Sequence, residues 1–218
     1  KSSKVPSLIY HNTGYFLYFE ECSGITVACP TNNKRGSTQL ANWKEIEALL
    51  EKYKHSTHTI VCDGGGEYVN DDTMHYWRVV KKYTIKITVP HTPQHNSRAE
   101  RKIKTVDDKA NAVLCAFQLH DKYWELAILF VVFVENRILT IHISNPPWTN
   151  LTGEVIDFSM FTMPFGTLVF AFNPTRTKSE SRKANPGSFV GFPKDRKGIL
   201  VHVPAVGRVL PEVHYTVD

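Results

Sequence analysis

Two acids occupy places where chemistry could happen. Asp63 closes a short apolar run, Thr59–Cys62, and is followed by Gly64, Gly65 and Gly66. The glycines let the backbone turn sharply and leave the carboxylate unobstructed. The carboxyl end of a strand is also where open α/β sheets bind ligands. Glu100 stands in PHTPQHNSRAERKIKT, residues 90–105, a polar loop running into a basic helix, among Arg98, Arg101, Lys102 and Lys104. Brought to one sheet edge, two carboxylates would repel each other unless a cation sat between them. Mg²⁺ suits such a pair, since it takes one or two carboxylates plus phosphate oxygens. A pair of such ions can activate a nucleophile and stabilise the leaving oxygen of phosphoryl transfer. A plainer reading stays open: an ordinary Asp-Gly turn, and a first-turn acid that suits the helix dipole and pairs with Lys104 at i+4.

The two acids are separated by 36 residues, and a helix and a strand in that interval would return the chain to the same edge. The pattern predicts strands at Tyr15–Phe19, Ile25–Cys29, Thr59–Cys62 and 84–89. Leu40, Trp43, Ile46 and Leu50 fall at helical spacing within Gln39–Lys54. Further helices are expected over 71–82, over Arg98–Phe117 with a stripe of Ile103, Val106, Ala110, Val113, Leu114 and Phe117, and over Lys122–Leu139. The last is too apolar for a surface helix and reads as core or dimer contact. The order implies an α/β sheet covered by helices. Past residue 145 the texture changes to Pro, Gly and short β-type runs at Leu168–Phe172, 188–192, Ile199–Val203 and 212–217. We therefore expect domains at 1–145 and 146–218, the second a small β module holding a basic loop, 173–186, with Arg176, Lys178, Arg182 and Lys183.

The chain has 218 residues, 42% of them hydrophobic, enough for a sizeable core. A formal charge of +5 and a pI near 9.0 permit a polyanionic partner without demanding one. The four cysteines show neither zinc-finger spacing nor a disulfide framework, which fits a reducing, intracellular setting. The most apolar run, residues 126–134, is too short to span a bilayer. No signal peptide is visible, and a first residue that is not Met suggests a processed product or a fragment.

VCDGGGEY (61–68) followed by VPHTPQHNSRAERKIKTV (89–106) resembles the core of copia-type (Pseudoviridae) retrotransposon integrases. The similarity continues through WELAILFVVFVENRIL (124–139), MPFGTLVFAF (163–172) and KANPGSFVGFPKDRKGILVHVP (183–204). It implies an RNase H-like catalytic core followed by a small β-barrel. It also implies an Asp-Asp-Glu site for Mg²⁺ or Mn²⁺, cleavage of the element's DNA ends, and transfer of the 3′-hydroxyl into target DNA. By that resemblance Asp63 is the second metal acid and Glu100 the third. Asn96 lies near DNA and metal, just before the helix. Pro93 and Gln94 belong to a mobile loop, and Lys102, one turn below Arg98, faces element DNA. The expected partners are DNA and further copies of the chain, in the nucleus, with no membrane and no small-molecule substrate. Contact with DNA would be to phosphates and salt-sensitive; its candidates are Asn96, Arg98, Arg101, Lys102, Lys109, Arg176, Lys178, Arg182 and Lys183.

The chain also departs from the family. No Asp precedes Asp63, and Glu20 and Glu21 are poor substitutes because they match the exposed end of the second family strand. Either the natural chain extends upstream, or Leu8-Ile9-Tyr10 forms a stunted first strand without the acid. Ser97 replaces a family Gly, and the amino-terminal zinc module has no counterpart. Two carboxylates without the bridging third would hold Mg²⁺ weakly and out of place, so the chain as it stands is expected not to perform strand transfer. The alternative function is a decayed or host-adopted integrase that binds DNA or itself without chemistry.

Overall fold

The computed structural model describes residues 5–88, 93–139, 144–161, 163–172, 184–193 and 197–217, with residues 93–97 described by backbone alone. In chain order the elements are β1 (Gly14–Phe19), β2 (Thr26–Thr31), α1 (Gly36–Lys52), β3 (Thr59–Cys62), α2 (Asp71–His75), β4 (Thr84–Ile87) and α3 (Pro93–Ala116). There follow α4 (Trp124–Glu135), α5 (Pro147–Thr152), β5 (Leu168–Phe172), β6 (Ala184–Gly191), β7 (Ile199–Val203), β8 (Arg208–Glu212) and β9 (Tyr215–Val217). They form two compact units, each from discontinuous segments: Asn12–Thr105 with Asn136–Ile156, and Val5–His11 with Val106–Glu135 and Asp157–Asp218.

In the first unit, β1 and β2 pair antiparallel with Phe16 opposite Cys29. Their turn is closed by Glu20, whose carboxylate accepts the Cys22 N–H at 2.8 Å, the Ser23 N–H at 2.7 Å and the Ser23 hydroxyl at 2.5 Å. Burial opposes ionisation there, but these bonds outweigh it and hold the Glu20 carboxyl below its ordinary range. Helix α1 buries Trp43, Ile46 and Leu50 of the expected stripe. β3 and β4 run parallel, Ile60 beside Ile85. Parallel neighbours need a crossover, and α2 begins it, capped by the Asn70 side chain accepting the Thr73 N–H at 3.0 Å.

The single helix expected over 71–82 is not continuous. It widens into a π-helical turn at Tyr76–Val80. The wide turn carries Trp77 into the core, 1% exposed and edge-on to Trp43 at 5.7 Å, and leaves Tyr76 free to reach α1. There the Tyr76 hydroxyl donates to Glu47 Oε2 at 2.5 Å, Tyr83 donates to Oε1, and Lys81 Nζ lies 3.0 Å from Oε2 as an ion pair. A second cross-connection is made by Asn136. Its Nδ2 donates to the Thr26 carbonyl at 2.7 Å and its Oδ1 accepts the Thr26 N–H at 2.9 Å. The side chain thus stands in for a strand residue beside β2. Asn136 lies just beyond α4, which ends at Glu135 and does not run on to Leu139 as expected. The short α5 was not legible as a helix, although Pro147 at its first position and Gly153 after its end (φ +75°) are ordinary helix bounds.

The second unit centres on a five-stranded antiparallel sheet in the order β8-β7-β6-β5-β9. Val169, Ala171, Phe189, Val201 and Val203 fill its core, with Phe130 of α4 packed against them. α4 is therefore a core helix here, burying Leu126, Ala127, Ile128, Val131 and Val132. The run expected as one strand over 212–217 divides between β8 and β9. Leu8-Ile9-Tyr10 is a turn and not a stunted strand: the Leu8 N–H goes to the Lys122 carbonyl at 2.9 Å, and Trp124 Nε1 donates to the Val5 carbonyl at 3.1 Å.

Candidate metal and nucleic-acid site

Asp63 follows the last residue of β3 and is exposed, as the apolar run and the glycines imply. Its Oδ1 accepts the Gly65 N–H at 3.2 Å. A Cβ on Gly65 would lie 2.7 Å from Glu67 Oε2 and 3.1 Å from Asp63 Oδ1, so the missing side chain lets both carboxylates close on one turn. Burial, and then the Asp63 charge, push the neighbouring Cys62 thiol up to about 11. Burial followed by the charges of Asp63 and Glu67 also raises the Tyr68 phenol. The carboxyl end of β3 is thus an electronegative corner.

Glu100 is exposed on α3. The loop expected before residue 98 is largely helical: α3 begins at Pro93 and has no acid in its first turn. A proline at the first helical position is preset for the helix and lacks only an N–H that would have no partner there. Glu100 is then the eighth residue of the helix, beyond reach of its positive end. The dipole explanation fails, and among the described residues no ion pair joins Glu100 to Lys104. Asn96 falls in the helical first turn instead of preceding it, and its side chain lies outside the described residues.

The expected basic residues divide. Arg98 Nη1 lies 3.1 Å from Glu21 Oε2. Lys102 Nζ stands 5.9 Å from the centre of the Phe19 ring. In the second unit, Lys109 Nζ donates to the buried Glu135 at 2.7 Å. Arg101 is exposed, as is Lys104. Arg176, Lys178, Arg182 and Lys183 lie outside the described residues. Among the described residues no three His, Cys, Asp or Glu side chains converge on one point. As donors, Asp63 and Glu100 fit a hard divalent ion in kind: oxygen ligands, both exposed, leaving room for water and phosphate. Sequence reasoning passed over Glu47 and Glu67, and weighed Glu21 only as a poor substitute for the first acid. Glu67 was visible in the Asp-Gly-rich stretch; for the other two only folding reveals the partner.

No protein-family model matches the chain. It is 30% identical over 177 residues, 77% of its length, to the retrovirus-related Pol polyprotein from transposon TNT 1-94 of Nicotiana tabacum. It is 24% identical over 183 residues, 79% of its length, to the corresponding polyprotein from transposon RE2 of Arabidopsis thaliana. The chain is a homologue of copia-type retrovirus-related Pol polyproteins. It spans only 12–13% of those two relatives. Among solved structures, a chain of the simian T-cell lymphotropic virus intasome, determined with PP2A regulatory subunit B56 gamma, superimposes over all of this chain and 81% of that one. The TM-score is 0.51 and the identity 11%. At that identity the likeness speaks to fold alone. The fold of this Pol homologue is the RNase H-like α/β fold of integrase cores, with an antiparallel five-stranded sheet toward its carboxyl end.

Proposed function

We propose that this chain is the integrase region of a copia-type element, its core within residues 1–145 and its β module within 146–218, acting on DNA in the nucleus as a multimer. The observation that carries the reading is the placement of Glu100: exposed on a basic helix, eighth from its start and, among the described residues, in no ion pair, so its oxygens stay open to solvent. Asp63 stands likewise exposed at the carboxyl end of β3. When bound, Mg²⁺ or Mn²⁺ would supply Lewis-acid activation and stabilise the leaving oxygen of a phosphoryl transfer. Asp63 and Glu100 would hold it. The Gly65 N–H fixes one Asp63 oxygen and leaves the other available. Phosphate contacts fall to the exposed Arg101 and Lys104 and to Arg176, Lys178, Arg182 and Lys183, with Asn96 near the reacting strand.

A third acid is absent from this reading, since Leu8-Ile9-Tyr10 is a turn and supplies no strand. The chain by itself is therefore expected to bind duplex DNA in a salt-dependent way without joining strands. A version extended at its amino end to restore an upstream Asp is expected to join them with Mg²⁺ or Mn²⁺. Glu100→Gln should abolish that activity. Strand transfer that survives Glu100→Gln sinks the site assignment. An extended protein that binds DNA but never joins it leaves the reading of a host-adopted or decayed binding module.

A further inference from the structure

We propose that Glu21 is a positioning residue: by pairing with Arg98 it clamps the start of α3 to the β1–β2 hairpin and so fixes the direction in which Glu100 is presented. The inference rests on the role proposed above for Glu100. It also removes Arg98 from the DNA-facing surface.

The geometry has three parts. The hairpin tip is a rigid support, because Glu20 accepts three hydrogen bonds within it and Gly24 N–H returns to the Glu20 carbonyl at 3.0 Å. Glu21, next in the chain, is held out from that support, and its Oε2 meets Arg98 Nη1 at 3.1 Å. One helical turn along, Lys102 Nζ lies over the ring of Phe19, the last residue of β1. Residues 98 and 102 differ by only about 40° around a helix, so these are two rungs on one flank. Glu100 lies about 200° from Arg98, on the flank away from the hairpin. A roll of the helix start about its axis would change the direction in which Glu100 faces, and the Glu21–Arg98 and Lys102–Phe19 contacts oppose that roll.

Each contact is weak alone. The ion pair is well exposed, 69% and 62% at its two side chains, and such pairs stabilise little. The effect to seek is correspondingly modest.

The test uses the full chain. Amide hydrogen exchange is followed for residues 98–104 and, as an internal control, for 106–114. Glu21→Gln should speed exchange in the first segment about two- to five-fold and leave the second unchanged. Glu21→Asp should recover most of the protection. The charge-swapped pair, Glu21→Arg with Arg98→Glu, should be better protected than either single variant. In parallel, binding to a short duplex is measured against salt: Arg98→Gln should keep the parent's affinity and salt slope. The proposal is overturned by unchanged exchange in Glu21→Gln, by a swap no better than its singles, or by a salt slope reduced by about one in Arg98→Gln, which would make Arg98 a phosphate contact. Exchange reports position and strand transfer reports reaction, so this proposal and the function of Glu100 can fail separately.

Discussion

Within the first unit, Glu47 on α1 and the acids Asp63 and Glu100 live in opposite surroundings. Glu47 is buried, with Tyr76, Tyr83 and Lys81 all committed to its two oxygens. Burial resists its ionisation, but the three donors more than compensate and hold its carboxyl below the ordinary range. Asp63 is exposed with one turn amide on it, and Glu100 is exposed. The fold thus saturates one carboxylate from within and leaves two with spare capacity. A buried carboxylate must be satisfied by the protein because water cannot reach it. An exposed one can wait for a ligand. The difference separates an acid that holds the fold from acids whose oxygens the fold leaves to solvent.

The strongest way to break this contrast is Glu47→Ala. Removing the acceptor takes the partner from two phenol hydroxyls and leaves Lys81 with Glu51 alone, and should destabilise the chain by about 3 kcal/mol, read from the urea midpoint. A loss near zero would mean that water replaces the carboxylate and that Glu47 is no different in kind from Glu100. Asn136→Ala offers a neutral control. It leaves both polar groups of the Thr26 backbone buried without partners and should cost about 2 kcal/mol in the same assay.

The pH dependence sharpens the contrast further. Because the folded-state pKa of Glu47 is lowered, its contribution is fully present above the unfolded glutamate pKa and is lost as pH falls through the folded value. The urea midpoint should therefore fall as the medium is acidified from about pH 5, and Glu47→Gln should flatten that slope. The smallest effect on stability belongs to Asp63→Asn and Glu100→Gln, whose midpoints should match the parent's. Either variant shifting the midpoint as far as Asn136→Ala would show that these acids are held by the fold after all.

How much of this was legible beforehand follows from the range of the forces involved. The stripe Trp43, Ile46 and Leu50 on α1, and Val106, Ala110 and Leu114 on α3, could be read because helical periodicity is local. β3 ending at Asp63 was legible for the same reason. The start of α3 at Pro93 was misread as loop because turn-type residues and a first-turn proline look alike in sequence. The π-helical turn at Tyr76–Val80 was missed because its reward, Tyr76 on Glu47 and Trp77 in the core, lies 29 and 34 residues back along the chain.

Local patterning was enough to set the alternation of strands and helices, the basic character of α3 and the place of Asp63 just after β3, since each depends on neighbours within a few residues. Packing across the chain settled that Arg98 meets Glu21, that Glu47 is filled by Tyr76, Tyr83 and Lys81, and that Leu8-Ile9-Tyr10 is a turn held at Lys122. Those outcomes depend on which distant groups reach the same few ångströms. Charge and hydrogen-bond capacity are written residue by residue, but the partner that uses them is set by packing.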